Sequence, residues 1–457
     1  MTGLVLRRAS VRPGGVVDVA VRDGVVVEPP PPGQRAGWDD VDLAGRPLLP
    51  GLADHHIHLL ATAAARTSVD CSPAAIAEHG SLAATLRRAR ERRAGGWLRG
   101  VGYDVVTSGD LDRKALDDAA VGPVRIQDRT GIRWTLDSAG LAAVLPADPV
   151  DWPGGVERDA AGVASGVLVR LDGWLRTRLP ESAVDLATLG TWLAERGVTA
   201  VTDAGAGNGP SELAALAAAR LPQRVTAMTA APDTSAPGSI GLGPVKVLLD
   251  EADLPSLDAL RARFDAARAG HRTVAVHCVG DAAIVLALAA GLDRADRIEH
   301  GSLVTDDLLP VLAAADPTVV VQPVLVATKG DRYLAETPEA EHGGLHRLAS
   351  LQEAGLRVAA SSDAPYGDPD PWSGVAAAVG RTTAGGRPFG PAEAIDPVAA
   401  VRLWCGRADD PGTVRAIVAG EPADLVVLDD GWDRLAAGPR VLATLVGGSL
   451  VSGGLPA

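Results

Sequence analysis

Two rhythms of apolar residues alternate through the middle of the chain. Segments rich in Ala, Leu and Arg, with a helical period, lie at Ser81–Arg93, Asp185–Arg196, Ser211–Arg220, Leu257–Ala269, Ala282–Leu292, Thr305–Ala314 and Gly344–Ala354. Short unbroken apolar runs lie at Leu48–Leu52, Val198–Thr202, Arg224–Met228, Pro244–Leu249, Thr273–Val276, Arg297–Glu299, Thr318–Gln322 and Arg357–Ser361. Runs of this length fit strands buried on both faces. Eight of them, most separated by one helix, predict an α/β fold built on a (β/α)8 TIM-like barrel.

The ends of the chain have a different texture. Leu4–Arg7, Val16–Arg22 and Val25–Val27 are short and Val-rich, as are Ala423–Leu428, Val441–Val446 and Leu450–Val451. This predicts a small β-sandwich domain built from both ends, over 1–48 and 406–457. The barrel is then expected over 49–65 and 181–405. The gap between the first and second barrel runs is too long for a loop. It contains the strand-like Trp97–Tyr103 and Pro123–Gln127, which predict an inserted α/β subdomain over 66–180.

Composition narrows the class. Of 457 residues, 47% are hydrophobic and 22% charged, which is globular rather than disordered. A net charge of −14 excludes sequence-independent nucleic-acid binding and an anionic membrane surface. No apolar run approaches the roughly 18 residues of a membrane span. The N-terminal MTGLVLRRASVRPGG lacks the long apolar core of a signal peptide. Cys71, Cys278 and Cys405 are widely spaced without a CxxC. A reduced, cytoplasmic protein is expected, with a small-molecule substrate as partner and a homodimer as an allowed assembly.

Candidate chemistry gathers at strand ends. Of nine histidines, four sit there. His56 and His58 lie in LLPGLADHHIHLL, where a spacing of two turns both to one face of an extended segment and could share a divalent metal. His277 ends TVAVH, His300 ends RIEH and Asp363 ends VAASSD. Barrel active sites lie at such ends. Lys246 sits inside the apolar GPVKVLLD, where a bare ammonium is costly. It is either paired with Asp250 or Glu251, or neutral and able to form a carbamate that bridges metals. Only three lysines occur among 43 basic residues, so a survivor in an apolar strand stands out. Arg could not replace it in a carbamate, because a guanidinium does not deprotonate.

Together the segments resemble the amidohydrolase superfamily, in its N-substituted formamide deformylase-like branch (amidohydrolase family 3). GRPLLPGLADHHIH, GWLRGVGYD, PVRIQDRTGIRWTLDSAGL, GVTAVTDAG, VKVLLD, VHCVGDAA, RIEHGSL, SSDAP, GEPADLVVLD and VGGSLVSGG run in family order over nearly the whole chain. The resemblance implies six metal ligands: His56, His58, Lys246 (carboxylated), His277, His300 and Asp363. It implies two divalent ions, zinc, bridged by the carbamate and a hydroxide, with Asp363 as the catalytic proton carrier. The expected reaction is hydrolysis of a non-peptide C–N bond in a linear or cyclic amide, of N-acyl or N-formyl type. A deaminase, lactonase or imidazolone-type hydrolase keeps the same site, and a non-catalytic binding relative would have lost ligands.

The sequence departs from the branch where substrate is expected. Ile132 stands in place of a family His, Arg170 in place of a glutamate, and Asp250-Glu251 in place of Asp-Gly. Arg133 or Arg170 could hold a substrate carboxylate, or be solvated. Tyr103, Gln322, Tyr366 and Trp372 are candidate pocket walls. Asp54 is expected to orient a ligand, His55 to point away, and Cys278 to lie in the barrel wall. Asp281 is expected to cap the following helix. His342 and His346 could chelate a metal on a helix but fit a solvated face, and His79 and His271 fit the surface.

Overall fold

A computed structural model describes residues 3–93, 95–119, 121–180 and 184–456. The chain divides into two compact units, Met1–Thr62 with Leu186–Ala457, and Ala63–Asp185.

The first unit contains an eight-stranded, all-parallel sheet. We number its strands β1 (Leu52–Ile57), β2 (Val198–Asp203), β3 (Arg224–Thr229), β4 (Ile240–Leu248), β5 (Val274–Cys278), β6 (Arg297–His300), β7 (Thr318–Val321) and β8 (Arg357–Ala360). They pair in chain order. The two ends of the order meet where Asp363 N–H donates to His56 O at 2.8 Å and His58 N–H to Ala364 O at 2.9 Å. A barrel results. Its wall packs on helices through one apolar core that includes Val247, Phe264, Val276, Ile284, Ile298, Leu312, Val319 and Trp404.

The first strand differs from expectation. The apolar run around Leu48 is two strands, not one. Leu48–Pro50 pairs antiparallel with Leu425–Leu428 in a separate sheet, and the barrel strand begins after Gly51. A Cβ at Gly51 would lie 2.2 Å from Thr199 Oγ1, so only glycine allows the chain to cross there. Asp54, His55 and His56 are therefore inside β1, not beyond it.

Two four-stranded sheets come from the chain ends. One holds Gly3–Arg12, Gly15–Arg22, Val25–Val27 and Trp38–Asp42; the other holds Leu48–Pro50, Leu425–Leu428, Val441–Val446 and Ser449–Gly453. They share a core of Leu6, Val19, Val21, Leu48, Leu425, Val427 and Leu445. Three helices of this unit escape the periodicity reading, Val324–Glu336, Pro371–Gly380 and the short Pro397–Arg402. Pro371–Gly380 carries a legible start signal, an Asp370 side chain capping Trp372 N–H with Pro at the first helical position. Conversely, the helix expected over Gly344–Ala354 is only Ala349–Glu353.

The second unit is a six-stranded mixed sheet, ordered 156–158, 164–169, 133–136, 124–128, 98–103 and 69–70. Its core includes Leu86, Leu98, Tyr103, Val124 and Ile126, with a second cluster around Trp134, Leu136 and Leu168. Among the described residues, no helix is long and apolar enough to cross a membrane.

Candidate active site

The C-terminal strand ends of the barrel bring the expected ligand residues together. His56, His58 and Asp363 offer ligand atoms within 4.8 Å of one another. Asp363 Oδ1 lies 3.5 Å from His56 Nε2 and 3.3 Å from His58 Nε2. The His300 ring stands 5.0 Å from His56 and 4.5 Å from His277, between centroids. Lys246, on β4, is buried, and its Nζ has no hydrogen-bond partner. The pairing with Asp250 or Glu251 is not made; Glu251 instead accepts the Gly280 N–H at 2.6 Å.

Two of the histidines, His56 and His300, are oriented from behind. Glu299 accepts from His56 Nδ1, which leaves Nε2 facing Asp363. His300 Nδ1 bonds Gln322 Oε1 at 2.8 Å, and Gln322 Nε2 is anchored on Val320 O and Ser361 Oγ. Gln322 thus orients His300, besides lining the small pocket beside it. Glu299 is itself paired with Arg297 inside the barrel. Sequence reasoning missed Glu299. In the β5–β6 register it stands opposite His277, and His300 follows it immediately. Strict alternation turns only one of two neighbours inward. The left-handed backbone at His300 (φ 80°) breaks that alternation, so Glu299 and His300 both meet the histidine cluster.

Asp54 stitches β1 to the loop after β8. It accepts His56 N–H at 3.2 Å and Ser362 N–H at 3.1 Å on one oxygen, and Ser362 Oγ–H at 2.5 Å on the other. Asp203, at the end of β2, receives Leu59 N–H at 2.7 Å and Asn208 Nδ2–H at 2.7 Å, fixing the backbone that follows His58. His55 points away as expected, buried against Gly406, where an added Cβ would lie 2.7 Å from Nε2.

Burial dominates the electrostatics. It pushes Lys246 below the ordinary amine value, although Glu299 and Asp363 oppose it. It pushes His56 down to about 3 and His277 to about 2, keeping both imidazoles neutral. Burial would raise Asp363, but the His58 hydrogen bond and the surrounding imidazoles hold it below the usual carboxylate range. Burial likewise opposes ionisation of Glu299, and Arg297 and His56 outweigh it. Cys278 is buried with its thiol pushed up, as an inert wall residue should be.

Several expectations need correction. Asp281 is the first helical residue rather than the cap; Gly280 holds the cap position and Asp281 accepts Thr305 N–H at 3.3 Å. His346 is not on a solvated helix face. It is buried in a loop with its ring 4.7 Å from Tyr333, while His342 sits in a separate 3-10 turn bonded to Thr337 O. Trp372 is a core residue donating to Arg196 O. Tyr366 does reach the histidines, 5.9 Å from the His58 ring. His79 is half-buried, bonded to Ala75 O, and His271 is exposed.

The remaining substrate candidates lie in the second unit. Tyr103 sits in its core and donates to Ser108 O and Gly109 O, so it faces no ligand. Ile132 is 46% exposed; Arg170 N–H donates to Ile132 O, and Arg133 pairs in register with Val169. Ile132, Arg133 and Arg170 thus lie together at the paired ends of two inner strands of this sheet.

The profile of the amidohydrolase family matches residues 39–452. N-substituted formamide deformylase of Arthrobacter pascens is 26% identical over 486 aligned positions, covering 90% of this chain and 89% of that protein. Among solved structures, an uncharacterized metal-dependent hydrolase from Pyrococcus horikoshii OT3 superposes with a TM-score of 0.76 at 20% identity, covering 94% of this chain and 98% of that one. A second, from Pyrococcus furiosus, gives 0.72 at 20% identity, covering 94% and 99%.

Proposed function

The chain belongs to the amidohydrolase family, and from that premise we propose that it hydrolyses N-acyl or N-formyl amides with two divalent ions. It is a metal-dependent hydrolase of C–N bonds. The observation that carries the finer reading is one constellation. His56, His58 and Asp363 form a metal-sized cluster beside a buried Lys246 whose Nζ has no partner. A buried amine without a partner is a costly arrangement unless a ligand completes it.

The residues fit two ions, zinc in this reading. His56, His58 and Asp363 would hold one, and His277 and His300 the other. Lys246 would lie between them as a carbamate. In forming it, the neutral amine attacks carbon dioxide, an N–C bond forms and one proton leaves. When bound, such ions lower the pKa of water toward neutrality and polarise a carbonyl. The chain's own residues do the rest. Asp363, held ionised, takes the proton of the attacking water and returns it to the departing nitrogen. Glu299 and Gln322 keep His56 and His300 in one tautomer. The similarity to a formamide deformylase supports a formyl or small acyl group.

Metal analysis of protein expressed in zinc-supplemented medium tests this. About two equivalents per chain are expected, with loss of amide hydrolysis on chelation and return on readdition. Less than about one equivalent would overturn the two-metal reading.

A further inference from the structure

The rings of His56 and His300 are held from behind by Glu299 and Gln322, but that of His58 is not. Among the described residues, the polar neighbour of the His58 ring is Asp363, 3.3 Å from Nε2, and the rings of His56 and Tyr366 stand edge-on to it. No side chain among them does for His58 what Glu299 does for His56. A metal-binding imidazole with no support on its ring takes its aim from the backbone that carries it.

That backbone is held on both sides of His58. Ala204 N–H donates to Ile57 O at 2.8 Å, and His58 N–H donates to Ala364 O at 2.9 Å. Leu59 N–H donates to Asp203 Oδ2 at 2.7 Å. Of the three bonds, this last one rests on a side chain, and that side chain is itself fixed. Asp203 Oδ1 accepts Gly205 N–H at 3.0 Å and Asn208 Nδ2–H at 2.7 Å. The same Asn208 nitrogen donates to Met228 O, on β3, at 3.0 Å. Asp203 and Asn208 are 2% and 4% exposed. Gly205 leaves them room, since a Cβ there would lie 2.5 Å from Asn208 Oδ1 and 2.9 Å from Asp203 Oδ1. One chain of bonds therefore runs from Met228 O through Asn208 and Asp203 to the peptide that follows His58. It gives β2 and β3 a part in the site, although neither strand carries one of the six expected ligands.

We propose that Asp203 and Asn208 are positioning residues for His58, and that Asn208 influences metal binding only through that histidine. The inference rests on the two-ion reading and deepens it. The ion held by His56, His58 and Asp363 depends on this relay, and the ion held by His277 and His300 does not. Asp203→Asn is isosteric, yet either orientation of the new amide turns its N–H donors toward a donor, at Leu59 on one side or at Gly205 and Asn208 on the other.

The test titrates zinc into the metal-stripped full-length protein against a competing chelator, which reads the affinity of each ion without turnover. Asp203→Asn should weaken one ion by about 10–100-fold and Asn208→Ala the same ion by about 10-fold, with the other ion within about 2-fold of wild type. Should Asp203→Asn fail to fold, Asn208→Ala carries the same comparison. The decisive arm is a cycle with His58→Ala. In that background, adding Asn208→Ala should leave the remaining affinity unchanged within about 2-fold, because the residue it acts through is gone. Should Asn208→Ala weaken zinc equally with and without His58, or weaken both ions alike, its role is general packing and the positioning proposal is overturned. Wild-type affinities in both single variants overturn it as well, and each of these results leaves the hydrolase reading standing. Less than about one ion in the wild-type protein overturns the two-ion reading and this inference with it.

Discussion

The seam between β1 and β8 and the surroundings of His346, Arg347 and Arg381 treat buried polar groups in opposite ways. At the seam, Asp54 accepts two backbone N–H groups and the Ser362 hydroxyl, and the backbones of His56, His58, Asp363 and Ala364 answer one another. Around the second group, His346 Nε2, Arg347 Nε and Arg381 Nη2 are buried without a hydrogen-bond partner. Lys246 belongs with the second group, at the centre of the site. A satisfied buried network holds its members in one geometry, whereas unpaired buried groups carry an uncompensated cost.

The comparison can be broken most severely at Lys246. Lys246→Ala should lower kcat/KM by about 10³-fold or more, comparable to removing a preorganised charge from an active site. Short carboxylic acids in the buffer should restore part of it, as steady-state rates would show. Unrescued wild-type turnover in the variant would remove the carbamate from the mechanism.

Glu299→Gln strikes the framework instead. It strips Arg297 and His56 of their shared counter-charge, so stability should fall by about 3–5 kcal/mol. Metal affinity should fall by about 10–100-fold. Denaturant unfolding and metal titration measure the two losses separately. Asp54→Asn touches only the seam, and a loss of about 10-fold in metal affinity is expected, with the metal number unchanged.

A milder perturbation is pH. Burial pushes His55 down to about 3, with Arg297 adding to the effect, whereas the unfolded chain takes up this proton near the ordinary value of about 6.5. The contribution is therefore complete above about pH 6.5 and is lost as pH falls from there toward 3, at up to about 1.4 kcal/mol per pH unit. Comparing His55→Phe with wild type between pH 7 and 5 should show the variant's slope flatter by one proton. The smallest change expected is Asp306→Ala. Asp306 is 89% exposed, so losing its pair with Arg347 should shift stability by no more than about 1 kcal/mol.

Much of this was legible from residues alone, for reasons that also explain the gaps. Seven of the eight apolar runs lie on barrel strands, because a strand buried on both faces leaves no polar residues to blur it. The exception, around Leu48, joined two strands that meet at Gly51, and hydrophobicity does not change across that glycine. The clustered histidines stood out because so few histidines occur. Lys246 stood out because lysine is rare here. Arg347 and Arg381 were hidden by the reverse effect, being two among many arginines, on loops, and joined only by folding. Glu299 was hidden by one dihedral. From His300 inward, alternation turns its neighbour outward, and a left-handed residue is not visible in a strand pattern. Of the second unit's candidates, Tyr103 shows how an aromatic in a strand serves a core more readily than a pocket.

The seam also orders events in time. Asp54 and Ser362 stand 308 residues apart in sequence, yet they hold the backbones that present His56 and Asp363. Closing so long a loop is entropically costly and kinetically late. A ribosome must deliver β8 before the first pair of histidines faces its aspartate. An ion held by His56, His58 and Asp363 would then be a completion signal, since only a chain that has closed its barrel brings the three together.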